Sequence, residues 1–358
     1  MSAMNATASS RQELPSQSFC TGDLPDGCQH CMTGGKMVLL VTGRCPTGCF
    51  YCPLSEKKRG RDVVYANELL VRGDQDIITE GDSIEASGTG ITGGEPLLLP
   101  ERTSRYIRLL KEYFGSRHHI HLYTAQFERE TIEQFIEAGL DEIRLHPPVS
   151  SWKHIEKTRL ANTVRGLAIP AGIEVPVLPG MEKETRHLLE TATRYDIDFV
   201  NLNELEFSET NYAALEKRGY QVKSDTSNAV AGSQELAYQI AEWDLPVPVH
   251  YCSSSFKDAI QLRRRLARRA RNVARLYDVI TDDGTLQKGV IEADRDALPD
   301  LRQRFHIEPG MMAWDEEKGR IETAPSIAAW LADQIAYRCY MVEEYPTADR
   351  LEVEREPL

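Results

Sequence analysis

Cys45, Cys49 and Cys52 stand in the stretch VTGRCPTGCFYCPLS, a C-x3-C-x2-C spacing that puts three thiols within eight residues, around Pro46 and Gly48. Proline and glycine favour a tight turn, so the three side chains can converge on one metal centre. A closed zinc site or an ordinary cubane cluster takes four protein ligands. Three thiolates on a [4Fe-4S] cube leave one iron free to bind a small molecule, which points to chemistry rather than scaffolding. A bland reading pairs Cys28-x2-Cys31 with Cys49-x2-Cys52, seventeen residues apart, as a zinc ribbon. It leaves Cys20 and Cys45 idle.

Upstream, Cys20, Cys28 and Cys31 lie in FCTGDLPDGCQHCMTGG, three more thiols that lack one ligand for a four-thiolate site. Cys252, behind the apolar, β-prone segment 245–251, is the candidate fourth. The expectation is an auxiliary [4Fe-4S] cluster on Cys20, Cys28, Cys31 and Cys252. Zinc on the same ligands, or with His30 replacing one, is the rival. Cys339 stands alone near the C-terminus and reads as a core cysteine.

Such groups need a scaffold. From residue 37 to about 205, apolar runs alternate with amphipathic segments, the βαβ signal of a parallel sheet. Strands are expected at 37–42, 85–92, 119–124, 142–145, 172–178 and 199–202, and helices at 102–114, 130–138, 158–168 and 183–195. Ile132, Phe135 and Ile136 make an apolar stripe, and Gly139 stops that helix. The cysteine loop follows the first strand, and Gly93-Gly94-Glu95-Pro96 follows the second. Both therefore fall on the rim formed by the strands' C-terminal ends, where β/α folds place reacting groups. Arg144 and His146 close the fourth strand, and Asn201, Asn203 and Glu204 the sixth, as candidate cavity-lining groups or structural ion pairs.

The C-x3-C-x2-C loop with an aromatic, Tyr51, before its last cysteine resembles the signature of the radical S-adenosylmethionine (SAM) enzymes. The Gly93–Pro96 turn resembles the second signature of that superfamily. The chain most resembles archaeal radical SAM proteins related to pyruvate formate-lyase activating enzymes. The resemblance implies an α/β fold: a partial (β/α)6 barrel with a small C-terminal α+β domain. It implies that SAM sits on the open iron of the Cys45/Cys49/Cys52 cluster, near Tyr51, Gly93, Gly94, Glu95 and Pro96. The segment Gly172–Gly180 is similar to the superfamily's fifth-strand region, which implies SAM contacts from Val177 to Gly180. Gly93 and Gly94, lacking Cβ, would let backbone approach the ligand. The implied reaction is reductive cleavage of SAM to a 5′-deoxyadenosyl radical, which abstracts hydrogen from an unidentified substrate, RNA or a small molecule being favoured. Reduced ferredoxin or flavodoxin would supply the electron. The alternatives are an activase that installs a glycyl radical on a partner protein and, from another class, a non-catalytic zinc-ribbon binding protein.

Composition bounds these readings. The 358 residues carry a net charge of −13, which disfavours general nucleic-acid binding, and 41% hydrophobic residues support a large core. No apolar run approaches a membrane span of about 20 residues, and the first residues lack a signal peptide's apolar stretch. With eight cysteines grouped as ligands, the expectation is a reduced, cytoplasmic protein. The expected organisation is a disordered segment 1–18, a Cys-rich segment 19–36, the barrel at 37–252, a basic helix at 253–277 and the α+β domain at 278–358. The basic helix carries seven arginines and one lysine between Lys257 and Arg275. Leu262, Leu266, Ala270, Val273 and Tyr277 would dock it. Arg264, Arg268, Arg271 and Arg275 would then form a stripe for RNA phosphates, a phosphorylated small molecule, an acidic partner protein, or acids of the protein itself.

Overall fold

The computed structural model describes residues 11–358. Its contacts divide the chain into two compact units: residues up to 81 with 86–262, and residues 82–85 with 263–358.

The larger unit is built on a sheet whose seven central strands run parallel: β3 (Lys36–Leu40), β6 (Gly88–Thr92), β7 (His119–Thr124), β8 (Glu142–Leu145), β9 (Ala171–Val177), β10 (Phe199–Glu204) and β13 (Val249–Cys252). Neighbours in the sheet follow chain order from β3 to β10, with β13 next to β10. Short antiparallel strands extend both edges: β1 (Gln12–Glu13) and β2 (Phe19–Cys20) beside β13, and β4 (Tyr65–Ala66) and β5 (Leu69–Leu70) beside β3. The six expected strands are present, and β13 adds a seventh. Helices α2 (Asp74–Ser83), α3 (Pro100–Phe114), α4 (Arg129–Ala138), α5 (Leu160–Val164) and α6 (Glu182–Ala192) make the crossovers. Gly139 ends α4 at φ 114°, an angle that costs a side-chain-bearing residue steric strain, and its N–H bonds Ile136 O. The helix expected at 158–168 shrinks to α5, because a 3-10 run occupies Val149–Lys157 and Gly166 turns the chain at φ 64°.

Helix α1 (Asp26–Met32) packs on β3, β6 and β7. A Cβ added at Gly27 would lie 2.6 Å from both Arg144 Nη2 and His121 Nδ1, so glycine is what lets this helix approach the sheet. After β10 come α7 (Tyr212–Glu216), the hairpin β11 (Val222–Ser224) and β12 (Ser227–Val230), and α8 (Ser233–Ala241). The first ten residues of the segment expected to be disordered lie outside the described residues. Residues 11–18 are folded instead: β1 pairs with β2, a 3-10 turn spans Pro15–Gln17, and buried Ser18 accepts the Ser253 N–H at 3.0 Å.

The basic segment is not a piece of its own. Ser254–Phe256 form a short helix, α9, residues 257–262 make a π-helical turn, and α10 (Arg263–Val273) belongs to the second unit. That unit is an antiparallel sheet in the order β16 (Met312–Asp315), β17 (Arg320–Thr323), β15 (Leu286–Glu292), β18 (Arg338–Glu344), β19 (Glu352–Pro357), with β14 (Val279–Ile280) also on β15. Helices α11 (Ala297–Phe305) and α12 (Pro325–Ala332) cover a core of Ile291, Leu301, Met312, Ile321, Leu331 and Cys339. Cys339 is buried there, as expected.

Candidate metal centre and cofactor site

The cysteine loop leaves β3 through Val41 and Thr42 and closes on itself at Gly43. The Gly43 N–H donates to Arg61 O at 2.8 Å, and the Gly60 N–H to Gly43 O at 2.8 Å. Asp62 anchors the neck by accepting from Thr42 Oγ1 at 3.2 Å and from Arg102 at 2.6 and 3.2 Å. Arg102 holds the Asp62 carboxyl below its ordinary range. Gly48, at φ 58°, makes the turn between the first two cysteines. Cys45 is exposed, Cys49 and Cys52 are half-buried. Burial, with smaller contributions from Cys49 and Cys45, raises the Cys52 thiol. Asn211, buried at the start of α7, donates to Tyr51 O at 3.1 Å and holds the loop from the β10 side. No sequence pattern marked Asn211; its role depends on a contact 160 residues away in the chain.

Gly93 and Gly94 dock directly on that loop. The Gly94 N–H donates to Thr42 O at 2.6 Å, and the Glu95 N–H to Arg44 O at 2.8 Å. A Cβ on Gly93 would stand 2.5 Å from Thr42 O, and one on Gly94 2.1 Å from Arg44 O. The space freed by the missing side chains is thus filled by the cysteine loop's own backbone. Glu95, fully buried, accepts from Leu97 N at 3.1 Å, Thr124 Oγ1 at 2.7 Å and Ala125 N at 2.9 Å. Its carboxylate therefore ties β6 to β7. Buried Pro96 opens the 3-10 turn Pro96–Leu98 and accepts from Thr103 Oγ1 at 2.9 Å.

Tyr51 is buried beneath the loop, with its hydroxyl 2.8 Å from His146 Nε2. His146 Nδ1 faces Glu174 O at 2.7 Å. A carbonyl only accepts, so Nδ1 carries the hydrogen and Nε2 offers a lone pair to Tyr51. A cavity of about 540 Å³ opens beside Phe50, walled by Pro179, Gly180, Met181, Arg218 and Tyr220. The rings of Phe50 and Tyr220 are nearly parallel, 8° apart with centroids at 6.5 Å, and the Arg218 guanidinium lies 4.1 Å from the Phe50 centroid. Gly180 was expected near SAM; Arg218 and Tyr220 were not singled out from sequence.

Four of the remaining thiols, Cys20, Cys28, Cys31 and Cys252, lie on or against the β9–β10–β13 part of the sheet. Register sets Glu174, Asn201, His250 and Cys20 in one row across β9, β10, β13 and β2, and Cys252 lies two residues beyond His250 on the same face. Cys28 and Cys31 approach from α1, one helical turn apart. The Cys28 sulfur accepts from Arg144 Nη2 at 3.4 Å and Asn201 Nδ2 at 3.5 Å. Burial pushes the Cys28 thiol up, but Arg144 and His250 outweigh it and bring it down to about 7. Burial, reinforced by Cys31 and Cys28, pushes Cys252 up to about 12. Arg144, buried, is held by Glu142 at 2.6 Å and Glu174 at 2.9 Å, and Glu174 also accepts from Asn203 at 2.9 Å. Buried Glu204 accepts the Ser254 N–H at 2.7 Å.

Cys28 and Cys31 lie on α1, before β3, and Cys49 and Cys52 in the loop that follows β3. Among the described residues, no three His, Cys, Asp or Glu side chains form a group that could hold a metal ion, and this holds for Cys45, Cys49 and Cys52 and for Cys20, Cys28, Cys31 and Cys252 as much as for a zinc ribbon. The basic stripe is largely used inside its own unit. Arg268 donates to Ile84 O and Glu85 O, each at 2.7 Å, and Arg275 pairs with Glu322 at 3.0 Å and Asp315 at 3.3 Å. Arg264 is engaged as well, while Arg271 is exposed. A cavity of about 200 Å³ in this unit is lined by Arg275, Lys288, Glu344 and Arg350, charges already paired with acids of the same sheet.

The radical SAM superfamily matches residues 39–192. A domain of unknown function, DUF8061, matches residues 284–358. Over 352 residues the chain is 41% identical to the Methanocaldococcus jannaschii protein named "Putative glycyl-radical enzyme activating enzyme MJ0021", covering 94% of this chain and 93% of that one. It also resembles Streptococcus suis SuiB bound to S-adenosylmethionine, with a TM-score of 0.40 and 10% identity over 62% of this chain and 50% of that one. No helix among the described residues is long and apolar enough to cross a membrane. By its motifs, the matched domain and its full-length relative, the chain belongs to the radical SAM superfamily of enzymes.

Proposed function

We propose that Cys45, Cys49 and Cys52 bind a [4Fe-4S] cluster with SAM on its open iron, and that the protein abstracts hydrogen from a substrate brought to this rim. The observation that carries the reading is the docking of the Gly93–Glu95 backbone on the cysteine loop, Gly94 N to Thr42 O at 2.6 Å, which brings both motifs to one place. Three thiols on one short loop fit the group, since they leave a coordination position for a small ligand. When bound and reduced, the cluster supplies the electron that splits SAM into methionine and a 5′-deoxyadenosyl radical.

The chain's own residues bind, orient and exclude water. Asn211 and the Gly93–Glu95 backbone hold the loop, and Glu95 fixes the turn rather than touching the cofactor. The cavity beside Phe50, adjacent to Cys49 and walled by Pro179, Gly180 and Met181, takes the adenosine. Cys20, Cys28, Cys31 and Cys252 hold an auxiliary [4Fe-4S] cluster. Arg144 and Lys36, both close enough to interact with these thiolates, supply the cationic surroundings such an anionic centre needs. Reduced ferredoxin or flavodoxin is the electron donor, in a reducing cytoplasm.

For the substrate, the name of the full-length relative supports a glycyl radical installed on a partner protein. RNA held by the arginine stripe loses support, because Arg268 and Arg275 are engaged within their own unit. The test is anaerobic reconstitution followed by iron analysis and 5′-deoxyadenosine formation from SAM under strong reductant. About eight irons per chain, at four per cube, with deoxyadenosine released, is expected. Cys49→Ala should abolish release; full activity in that variant overturns the assignment.

A further inference from the structure

The loop that carries the rim cysteines is charged against the run of the chain. Residues 44–61 hold five cations, Arg44, Lys57, Lys58, Arg59 and Arg61, and one acid, Glu56, in a protein whose net charge is −13. Backbone contacts set these cations beside the cysteines. The Lys58 and Arg59 N–H groups turn back to Ser55 O at 2.9 and 2.8 Å. The Gly60 N–H reaches Gly43 O at 2.8 Å, and Arg61 O receives the Gly43 N–H at 2.8 Å. Gly43 lies two residues before Cys45, so the basic turn closes on the base of the cysteine loop. A Cβ on Gly43 would fall 1.7 Å from Lys58 O, which leaves no gap between the two. Lys58 is half-buried over the Tyr65 ring, 4.4 Å from its centroid. Arg44, Lys57, Arg59 and Arg61 are exposed, and among the described residues none of these four forms an ion pair. The arginines of α10 differ, since Arg268 and Arg275 are engaged within their own unit.

We propose that this basic face docks a small acidic one-electron carrier protein, which reduces the cluster there. The proposal rests on the reading that Cys45, Cys49 and Cys52 bind that cluster. In the step one electron leaves the carrier and enters the cluster, with no bond made or broken, so the two centres need only come close. Cys45 is exposed next to Arg44, which gives a carrier on this face a short path. Charge supplies the encounter: the acidic molecule as a whole repels an acidic carrier, and this loop attracts it. Complementary charge of this kind raises association rates by about 10- to 1,000-fold. Electron-transfer encounters are small and transient, which matches a face the size of one loop. The cavity beside Phe50 is walled by segments that follow β9 and α7, so the basic face is not part of it.

The test is stopped-flow reduction of the reconstituted full-length protein by flavodoxin hydroquinone. Ionic strength is raised from about 0.1 M to about 1 M, which shortens the Debye length from about 10 Å to about 3 Å. The wild-type second-order rate constant should fall with salt. Lys57→Glu/Arg59→Glu should lower it about tenfold at low salt and remove the salt dependence. Arg117→Glu/Arg194→Glu makes the same change of net charge at exposed sites before β7 and β10, at the other end of the strands, and should stay near wild type. Dithionite reduction, read on the EPR signal that added SAM perturbs, checks that each protein's cluster takes an electron. A wild-type rate in Lys57→Glu/Arg59→Glu overturns the proposal, as does an equal loss in the control pair, which would make net charge the cause. If the first pair loses its iron, Lys57→Gln/Arg59→Gln decides: a shallower salt slope supports the face and an unchanged slope overturns it. Weakened binding of a single-stranded RNA with carrier reduction unchanged would assign the face to nucleic acid instead. A wild-type protein with no SAM-sensitive cluster under dithionite would sink the cluster assignment itself, and the proposal with it.

Discussion

Gly94 and Thr42 meet backbone to backbone, N–H to carbonyl at 2.6 Å, and that bond joins the turn after β6 to the loop that carries the three rim cysteines. The contact needs a glycine: a Cβ at Gly94 would fall 2.1 Å from Arg44 O, a backbone atom that cannot swing aside. Glycine here serves loop-to-loop packing, and on the proposed assignment the motif would act on the cluster by holding its ligands in place.

Gly94→Ala should therefore loosen the cysteine loop. Forcing a methyl group into filled space costs roughly 1–3 kcal/mol. Iron retained after reconstitution and desalting should fall well below wild type. Gly48→Ala provides the contrast, because its Cβ would meet nothing within 4 Å and only its φ of 58° opposes it. That strain amounts to about 1–2 kcal/mol. Equal iron retention in wild type and Gly94→Ala would refute the account of the motif.

Glu95 makes a separable prediction. Its carboxylate accepts from Leu97 N, Thr124 Oγ1 and Ala125 N, and a glutamine amide has one oxygen and one donor. Whichever way the new amide in Glu95→Gln turns, its NH2 faces a backbone N–H. Leaving a buried donor unsatisfied costs about 1–3 kcal/mol. The midpoint of denaturant unfolding should drop while the KM for SAM stays unchanged. A raised KM with unaltered stability would place Glu95 in contact with the cofactor instead.

These two cases show what sequence could reach. The cysteine spacing, the Gly93–Pro96 turn and the alternation of strands and helices are local patterns, and they placed both motifs on one rim. What Gly94 and Glu95 touch is set by chain 29 to 52 residues distant, and no spacing rule reports it. The same holds for Asn211 on the Tyr51 carbonyl and for Arg218 against Phe50. Cys252 was legible as a ligand candidate because its strand was; α1 against the sheet was not, since it depends on Gly27 fitting beside Arg144 and His121. The arginine stripe left its partners open, acids of the protein itself among them, because sequence shows charge but hides what it meets.

Cys252→Ser tests the second thiol group without touching the rim. Iron should fall from about eight to about four per chain, on four irons per cube, and the SAM-sensitive EPR signal should persist. An unchanged iron content would remove Cys252 from the ligand set. Arg144→Met asks more of the fold. It leaves Glu142 and Glu174 buried beside Cys28 with no guanidinium. Breaking a buried ion pair on one side costs about 3–5 kcal/mol, so this variant should unfold at markedly lower denaturant than Cys252→Ser.

The C-terminal unit should be acid-labile in a defined window. Asp315 accepts from the Lys318 N–H at 2.8 Å and pairs with Arg350 and Arg275. Burial pushes its carboxyl up, but these partners outweigh burial and hold it down to about 2. Glu322 is likewise lowered: Lys288, Arg320 and Arg350 outweigh its burial. A carboxylate with a depressed folded pKa stabilises the protein above its unfolded value of roughly 4. That contribution is lost as pH falls through the folded value, for Asp315 from about 4 down to about 2. Asp278 acts in the opposite sense, because burial raises it despite Lys288, and so it softens the slope without reversing it. Denaturant unfolding of the full chain between pH 5 and pH 2, followed by loss of protection in β16 and β17 by hydrogen exchange, should show stability falling with acid. Asp315→Asn should be less stable at neutral pH and lose less on acidification. A pH slope identical in wild type and Asp315→Asn would show that this network does not govern the unit's acid stability.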